Sequence, residues 1–167
     1  MPAGRRLQVG VIGEGRCSAP TAARAERVGR AVARAGAVLV CGGLRGVMEA
    51  ASRGAAEAGG LVVGVLPGFS AADANPWVTI PIVTGMDQAR NVILVRSCDA
   101  IVAVRGRYGT LSEIALALKL GVPVVGLGTW RLAEPEGRRV PLIRARTPED
   151  AVARALRAAR RTRSARV

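Results

Sequence analysis

Three glycine-containing turns are the part of this sequence best suited to chemistry. Each follows an apolar segment and leads into a segment of helical period, and the three are Gly13–Ser18, Gly42–Gly46 and Arg105–Thr110. Glycine lets a backbone approach a ligand closely, and the free N–H groups and positive dipole end of a helix start favour an anion. Tight strand-to-helix turns also need glycine for structural reasons, so one turn alone is weak. Three turns together favour a phosphate-binding edge.

Other kinds of chemistry are excluded by composition. The sequence has no histidine, and its three cysteines, Cys17, Cys41 and Cys98, lie far apart with no CxxC spacing. A Cys/His zinc site, a Ser-His-Asp triad and a Cys-His dyad are therefore ruled out, and no metal site is predicted. The cysteines are predicted to pack as small hydrophobic residues. Neither a GxGxxG fingerprint nor a Walker A sequence is present, so a standard dinucleotide site or P-loop is not expected.

Two of the turns carry motifs that resemble those of a known family. The run from Gly42 to Ala51 (GGLRGVMEAA) resembles a GG-x-x-G-(V/L)-M turn and helix, and the run from Gly106 to Glu113 (GRYGTLSE) resembles PGG-x-GT-x-x-E. The family is the LONELY GUY (LOG) group, often labelled "possible lysine decarboxylase", together with the molybdenum cofactor carrier proteins. The resemblance spans residues 7–128. The short length and the sequences of the two motifs are more similar to the carrier-type subfamily than to the plant cytokinin enzymes.

The resemblance implies a Rossmann-like sheet that binds a nucleotide, the molybdenum cofactor or a related phosphate, and no cofactor is predicted to be required. In the family's enzymes, an Arg and the motif Glu serve hydrolysis of a nucleoside 5′-monophosphate, and Arg90 and Glu113 match them. A carboxylate can stabilise oxocarbenium charge while it positions water, and an Arg can hold phosphate or ribose oxygens. Lysine decarboxylation has no chemical support, because no pyridoxal phosphate lysine context is visible. The predicted ligand-binding residues are Gly13, Gly15, Gly42, Gly43, Gly46, Met86, Arg90, Gly106, Arg107, Tyr108, Gly109, Thr110 and Glu113.

Two departures from the family pattern leave catalysis open. The family's Pro-Gly-Gly is Arg105-Gly106-Arg107 here, so either Arg107 supplies a new phosphate contact or the turn is reshaped and the activity is lost. Asn91 stands where the cytokinin-activating enzymes have a Lys, which bears on turnover more than on binding. The first hypothesis is therefore binding of a phosphorylated ligand, and the alternative is a nucleoside 5′-monophosphate phosphoribohydrolase.

Each candidate side chain also has an interpretation without a ligand. Thr110 and Glu113 have the spacing of a capping box, in which both side chains satisfy free N–H groups at a helix start. Arg90 taken alone would be a solvated surface charge, and Glu14 and Arg16 are typical loop charges. With the resemblance, a ligand-facing role is the prediction for Arg90, Thr110 and Glu113.

The segments that must position these residues alternate in type along the chain. Strands that are apolar throughout and alternate with helices predict a doubly wound, Rossmann-like α/β fold, with a mainly parallel sheet and helices on both faces. Ligands bind beyond the carboxyl ends of such strands, where the glycine turns lie. The predicted strands are Leu7–Gly13, Ala37–Cys41, Leu61–Leu66, Val78–Val83 with an interruption at Pro81, Ala100–Val104, Pro123–Leu127 and Pro141–Ile143. The predicted helices are Thr21–Ala35, Gly46–Ala58, Met86–Ser97, Thr110–Leu120, and one that begins after Thr147 and ends near Ala159.

The length and the charge of the chain limit its domain number and its possible partners. Its 167 residues predict one domain at 1–159 and a basic, disordered tail at 160–167. The net charge is +13, and residues 138–167 hold ten Arg against Glu149 and Asp150, which gives +8. Nucleic-acid binding through this Arg-rich end is the second alternative. It is not the expected partner, because aromatic stacking residues are scarce and no helix-turn-helix is evident.

The expected setting is a cytoplasmic protein without a membrane partner. No apolar run reaches the ~18–20 residues of a bilayer span, and the N-terminus lacks the apolar region of a signal peptide. The resemblance also implies a homo-oligomer, either a dimer or a tetramer, in which Asn91–Cys98 and Leu111–Leu120 pack across a two-fold axis.

Overall fold

A seven-stranded sheet forms the centre of the computed structural model, which describes residues 5–165. The strands lie in the order β4-β3-β2-β1-β5-β6-β7, and every neighbouring pair is parallel. The predicted Rossmann-like α/β class is confirmed. In chain order the elements are β1 Gln8–Gly13, α1 Ala19–Arg34, β2 Val38–Cys41, α2 Val47–Glu57, β3 Val62–Leu66, β4 Ile80–Val83, α3 Arg90–Ser97, β5 Ala100–Val104, α4 Tyr108–Lys119, β6 Val124–Leu127, β7 Leu142–Ala145 and α5 Pro148–Ala165, with short 3-10 turns at Ala71–Asp73 and Asp87–Ala89.

Helices on both faces explain why the inner strands are apolar along their whole length. The side chains of α1, α2 and α5 share one buried cluster with one face of the sheet, and those of α3 and α4 share a second cluster with the other face. The central strand β5 is buried at every position. The chain reaches β5 from the edge strand β4 by way of α3, so the strand order reverses between β1 and β5. Ligand sites of doubly wound sheets lie at such a switch point.

Helices α1 and α2 pack with their backbones in close contact. Gly29 of α1 lies against the carbonyl oxygen of Ala51, and Gly54 of α2 lies against the carbonyl oxygen of Glu26. A Cβ atom at either glycine would overlap the facing backbone. The Glu26 carboxylate also accepts hydrogen bonds from Arg30 and Arg53, so an ion pair bridges the two helices beside this contact. The missing side chains are therefore what allow the two helices to approach.

The last helix extends beyond its predicted end near Ala159 and continues to Ala165. The prediction of a disordered tail from residue 160 is wrong up to that point, and Arg166 and Val167 lie outside the described residues. Arginine is a good helix former, and Arg163 Nη1 donates a hydrogen bond to the carbonyl of Arg5, so this end of α5 is tied to the start of the chain. Within residues 5–165, neither α5 nor any other helix has the length and apolarity to cross a membrane.

Other elements differ from their predicted bounds for identifiable reasons. Strand β4 is not interrupted at Pro81, because it is an edge strand, where a residue without an N–H costs no ladder hydrogen bond on the open side. The predicted Met86–Ser97 helix separates into a 3-10 turn and α3, which begins at Arg90. Helix α4 begins at Tyr108 rather than Thr110. These shifts place Arg90 and Thr110 in the first turns of two helices.

Candidate functional site

A cleft of about 510 Å³ opens at the carboxyl ends of β1 and β5, where the strand order reverses. The loop after β1, the loop after β5 and the start of α3 form its walls. Sites for small molecules have volumes of roughly 300–1,000 Å³, so this cleft has the size of a ligand site. Its lining residues are Gly13, Glu14, Gly15, Arg16, Met48, Gln88, Arg90, Asn91, Arg107, Gly109, Thr110 and Glu113.

The N-terminus of α4 offers backbone donors to this cleft. Arg107 is the N-cap residue, no side chain caps the helix, and the first helix-type hydrogen bond runs from the N–H of Leu111 to the carbonyl of Arg107. None of the described residues accepts a hydrogen bond from the N–H groups of Tyr108, Gly109 or Thr110. The capping-box interpretation of Thr110 is therefore wrong, because Thr110 lies inside the first turn, where it is 2% exposed.

The loop before α4 has an unusual backbone. Arg105 has φ 48° and Gly106 has φ 103°, and a Cβ at Gly106 would overlap the side chain of Thr110. The Thr129 hydroxyl donates a hydrogen bond to the carbonyl of Arg105, which holds this conformation. A proline, with φ fixed near −65°, could not adopt the conformation of Arg105, so the loop differs from the family's Pro-Gly-Gly turn. Arg107 has φ −110°, which needs no glycine, and its side chain lines the cleft.

Arg90 lies beneath the cleft and is 8% exposed, so it is not a solvated surface charge. Its Nη1 atom donates a hydrogen bond of 2.7 Å to the carbonyl of Val65. The guanidinium crosses the space over Gly42, where a Cβ would overlap Nη1. Burial lowers the pKa of Arg90, while the nearby Glu113 carboxylate raises it. The Nε atom of Arg90 and the Oδ1 atom of Asn91 are buried without a hydrogen-bond partner among the described residues.

Glu113 lies one turn after Thr110 on α4 and lines the same cleft. Burial raises the pKa of Glu113 to about 7, and the charge of Arg90 acts in the opposite direction. Among the ion pairs of the described residues there is none between these two side chains. An acid of this kind changes its charge near neutral pH and can exchange a proton with a bound molecule.

The loop after β1 completes the wall of the cleft. The carbonyl of Glu14 accepts a hydrogen bond from the N–H of Val47, and a Cβ at Gly13 would lie 2.5 Å from the Val47 side chain, so the loop rests on the start of α2. Ser18 is the N-cap of α1, and its hydroxyl accepts a hydrogen bond from the N–H of Thr21. The cleft thus combines the positive charges of three arginines with two acidic side chains, which favours an anionic ligand.

The structure brings together only part of the predicted residue set. Gly13, Gly15, Arg90, Arg107, Gly109, Thr110 and Glu113 line the cleft. Gly42 lies behind Arg90 and makes room for it, and Gly106 shapes the loop. Gly43, Gly46, Met86 and Tyr108 are not among the lining residues.

Sequence reasoning missed several residues of the cleft. Met48 belongs to the first quoted motif, and Gln88 and Asn91 lie close to Arg90 in the sequence. Their closeness to predicted site residues is the signal that could have identified them. The sequence predicts Glu14 and Arg16 to be loop charges, and in the structure both line the cleft.

Known proteins resemble this chain over most of its length. An uncharacterized protein from Archaeoglobus fulgidus is 49% identical over 146 residues, which are 87% of this chain and 92% of that protein. The structure of the molybdenum cofactor binding protein from Rippkaea orientalis matches with a TM-score of 0.81 and 36% identity, over 89% of this chain and 94% of that one.

A shorter match points to the LOG group. The cytokinin riboside 5′-monophosphate phosphoribohydrolase of Rhodococcoides fascians is 38% identical over 94 residues, which are 53% of this chain and 47% of that protein. The predicted resemblance to LOG and molybdenum cofactor proteins is confirmed. The model of the SLOG cluster4 family matches residues 6–152, which is most of the sequence. The chain therefore belongs to the SLOG cluster4 family.

Proposed function

We propose that the cleft binds a phosphorylated ligand, with its phosphate at the N-terminus of α4 and beside Arg90. The observation that carries the proposal is the buried Nε atom of Arg90, an N–H donor without a partner in the described part of the chain. A buried donor left unsatisfied costs about 1–3 kcal/mol, and an oxygen of a bound anion would remove that cost. The free N–H groups of Gly109 and Thr110 supply further donors at the positive end of the helix dipole.

The ligand class that fits best is a nucleotide or the molybdenum cofactor. The molybdenum cofactor binding protein of Rippkaea orientalis has the same fold and is 36% identical to this chain in sequence. The cleft has room for a ligand larger than phosphate alone, and Asn91 Oδ1 offers a buried acceptor to a donor on that ligand. Arg107 adds a positive side chain where the family motif has glycine, which supports a phosphate contact.

Titration calorimetry with AMP, GMP, the molybdenum cofactor and inorganic phosphate tests this proposal. We expect binding of at least one organic phosphate in the micromolar range, and weaker binding of inorganic phosphate. The corresponding nucleoside, which lacks the phosphate, should bind far more weakly than the nucleotide. An absence of binding by every phosphorylated ligand at millimolar concentration would refute the proposal.

Glu113 makes binding depend on pH. Because burial raises the pKa of Glu113 to about 7, its carboxyl is neutral in weak acid and repels an anionic ligand in weak base. We expect the Glu113→Gln variant to match the native affinity at about pH 5.5 and to exceed it about tenfold at about pH 8.5. Calorimetry at both pH values measures the ratio of the two affinities. The ligand's own ionisation affects both proteins and cancels in this ratio. The other charged side chains that face the ligand are also the same in both proteins, and they are Glu14, Arg16, Arg90 and Arg107.

The same shift in the pKa of Glu113 affects folding. The unfolded chain releases this proton in the ordinary carboxyl range, whereas the folded chain holds it until about pH 7. The stability that neutral Glu113 contributes is therefore present in acid and is lost as the pH rises through about 7.

The binding experiment has an outcome that would contradict the assignment of Glu113 to the ligand site. That outcome is equal affinity of the native protein and the Glu113→Gln variant for the ligand at about pH 8.5.

Hydrolysis of a nucleoside 5′-monophosphate is the second candidate function. Arg90 and Glu113 share one cleft, and the relative from Rhodococcoides fascians is named as a phosphoribohydrolase. A carboxyl with a raised pKa can give a proton to a departing base, or can stabilise oxocarbenium charge on the ribose once ionised. Arg90 would hold the phosphate or ribose oxygens during bond cleavage.

Release of adenine from AMP, followed by chromatography, tests this second function. We expect the Glu113→Gln variant to retain AMP binding and to lose about a hundredfold or more of the rate, since general acid–base groups contribute that much. Ser112→Ala, one residue away on an exposed position, is the matched control and should keep the native rate. A native rate of adenine release in Glu113→Gln would contradict a catalytic role for Glu113.

A further inference from the structure

Asn75 is a buried polar residue in a part of the chain that neither sequence motif covers. It lies in the loop between β3 and β4, where most neighbouring residues are exposed, yet it is only 7% exposed itself. A buried amide costs free energy unless its donors and its acceptor have partners. The side chain of Asn75 has such partners, and two of them belong to other elements of the fold.

The hydrogen bonds of Asn75 hold the turn that follows β2. Its backbone N–H donates to the carbonyl of Gly43 at 2.8 Å, and its Nδ2 atom donates to the carbonyl of Leu44 at 2.9 Å. Its Oδ1 atom accepts a hydrogen bond of 3.1 Å from the N–H of Trp77, which fixes the orientation of the amide. Two consecutive carbonyls of the turn are therefore bound to one residue of a different loop.

A buried hydroxyl joins this contact to α2. Nδ2 of Asn75 donates at 3.4 Å to the hydroxyl of Ser52, which in turn donates at 2.8 Å to the carbonyl of Met48. The same hydroxyl lies 3.4 Å from the Sγ atom of Cys41, and that sulfur accepts a hydrogen bond from the N–H of Gly43. Gly43 is thus held at its N–H by Cys41 and at its carbonyl by Asn75.

This turn is the surface against which Arg90 packs. A Cβ at Gly42 would overlap both terminal nitrogens of the guanidinium, so the backbone of the turn and Arg90 are in close contact. Gly43 has φ 72°, and a Cβ on it would lie 3.2 Å from the Cα atom of Gly64 in β3. Because the turn has no side chains of its own at these two positions, its place depends on hydrogen bonds such as those from Asn75.

The guanidinium needs this support to keep its orientation. Its hydrogen bond from Nη1 to the carbonyl of Val65 fixes one corner of a planar group, and its Nε atom has no partner in the described part of the chain. Packing against Gly42 restricts the rotation that one hydrogen bond leaves possible. The direction in which the Nε–H group points therefore depends on the turn.

We propose that Asn75 is a positioning residue of the ligand site, which holds the turn at Gly42–Leu44 so that the turn keeps the Nε–H group of Arg90 directed at a bound anion. The inference rests on the proposed function, because that function assigns the Nε atom to the phosphate. Asn75 does not line the cleft. Its contribution to binding is therefore indirect and should disappear when Arg90 is replaced.

The NMR resonance of the Arg90 Nε–H group reports this orientation without any ligand, and it is assigned as the resonance that is missing from Arg90→Met. Asn75→Leu puts a side chain of similar size without hydrogen-bonding atoms in the loop. We expect this variant to shift the resonance and to speed its exchange with water about tenfold or more, since the site opens more easily. Thr79→Val is the matched control and should leave the resonance unchanged, because it removes a hydroxyl of the same loop that accepts the N–H of Val62.

Calorimetry with AMP and with GMP measures the consequence for binding. We expect Asn75→Leu to bind the nucleotide about tenfold more weakly than the native protein does, because the hydrogen bond from Nε loses its alignment. In the Arg90→Met background the same replacement should change the affinity by less than about twofold, since two residues that act through one contact are not additive. Thr79→Val should bind as the native protein does.

A milder variant protects the test against a folding defect. Asn75→Asp keeps the shape of the side chain and an acceptor for the N–H of Trp77, but it loses the donor to the carbonyl of Leu44. We expect the same faster exchange of the Nε–H group. Its negative charge lowers the affinity for an anion with or without Arg90, so the loss that exceeds this common effect measures the positioning.

The outcomes separate this inference from the function on which it rests. An Nε–H resonance with native shift and exchange in both Asn75 variants would overturn the positioning role, whatever the protein binds. An equal loss of affinity with and without Arg90 would overturn it as well, because Asn75 would then act by another route. A changed resonance in a protein that binds no phosphorylated ligand would refute the proposed function, while the support of Arg90 by Asn75 would stand.

Discussion

Replacement of Arg90 by methionine is expected to weaken binding of a phosphorylated ligand about a hundredfold, because the charge-assisted hydrogen bond from Nε and the positive charge beside the phosphate are both lost. The same change should leave the protein folded, because relief of the buried charge offsets the loss of the hydrogen bond from Nη1 to the Val65 carbonyl. Arg90 is buried and its Nε atom has no partner, so the ligand-free protein bears the cost of a desolvated charge. Methionine fills a similar volume without that cost. Calorimetry for the ligand and thermal unfolding without it measure the two effects.

Two companion variants identify the cause of that loss. Arg96→Met removes an exposed charge from the same helix and should bind as the native protein does. Gly42→Ala keeps the charge of Arg90 but introduces a Cβ that overlaps Nη1, so the guanidinium must move. We expect Gly42→Ala also to bind more weakly, although Gly42 does not line the cleft. Native affinity in Arg90→Met would show that the phosphate does not bind at this arginine.

The fold could be predicted because the sheet imposes a simple pattern on the sequence. A parallel strand covered on both faces must be apolar at every position, and β5 and β6 meet that condition. The intervening helices repeat their apolar residues at helical spacing, so the alternation of elements is visible without any contact information. The position of the cleft beyond the carboxyl ends of the strands then follows from the rule for ligand sites in such sheets, whereas the strand order comes from the structure.

Features that depend on contacts between distant residues could not be predicted. Gly42 resembles any glycine at a turn, and only the structure shows that the guanidinium of Arg90 occupies the space beside it. The burial of Arg90 depends on its bond to Val65, a residue 25 positions earlier. The Thr110 spacing fits a capping box in sequence, but the helix begins two residues earlier, because the loop at Arg105 and Gly106 turns the chain sooner.

The charged residues of the loop after β1 could not be assigned to the site from the sequence, for the same reason. Glu14 and Arg16 have no neighbours in sequence that distinguish them from solvated residues, yet the reversal of strand order brings their loop next to α4. Trp130 likewise lies outside both family motifs, and the hydrogen bond from its Nε1 atom to the carbonyl of Arg107 places it beside the β5–α4 loop. Site residues drawn from several loops are found only when the relative placement of those loops is known.

Substitution of Gly54 by alanine is expected to destabilise the fold by about 3 kcal/mol or more, which is at the upper end for overpacking. The added Cβ would overlap the carbonyl oxygen of Glu26 in α1, and backbone atoms cannot rotate away as a side chain can. Helices α1 and α2 would have to separate along their length, with loss of the contacts at Gly29 and the Glu26 ion pairs. Urea unfolding measures the change in the free energy of unfolding.

Gly109→Ala is the matched control for this stability test, since Gly109 is also helical but faces open space and has no positive φ. Alanine loses less backbone entropy than glycine in a helix, so this variant should be more stable by about 0.5–1 kcal/mol. The two substitutions add the same methyl group to the same kind of residue, and opposite signs are expected only if packing at Gly54 controls the outcome. A native-like free energy of unfolding for Gly54→Ala would mean that the two helices do not approach as closely as described.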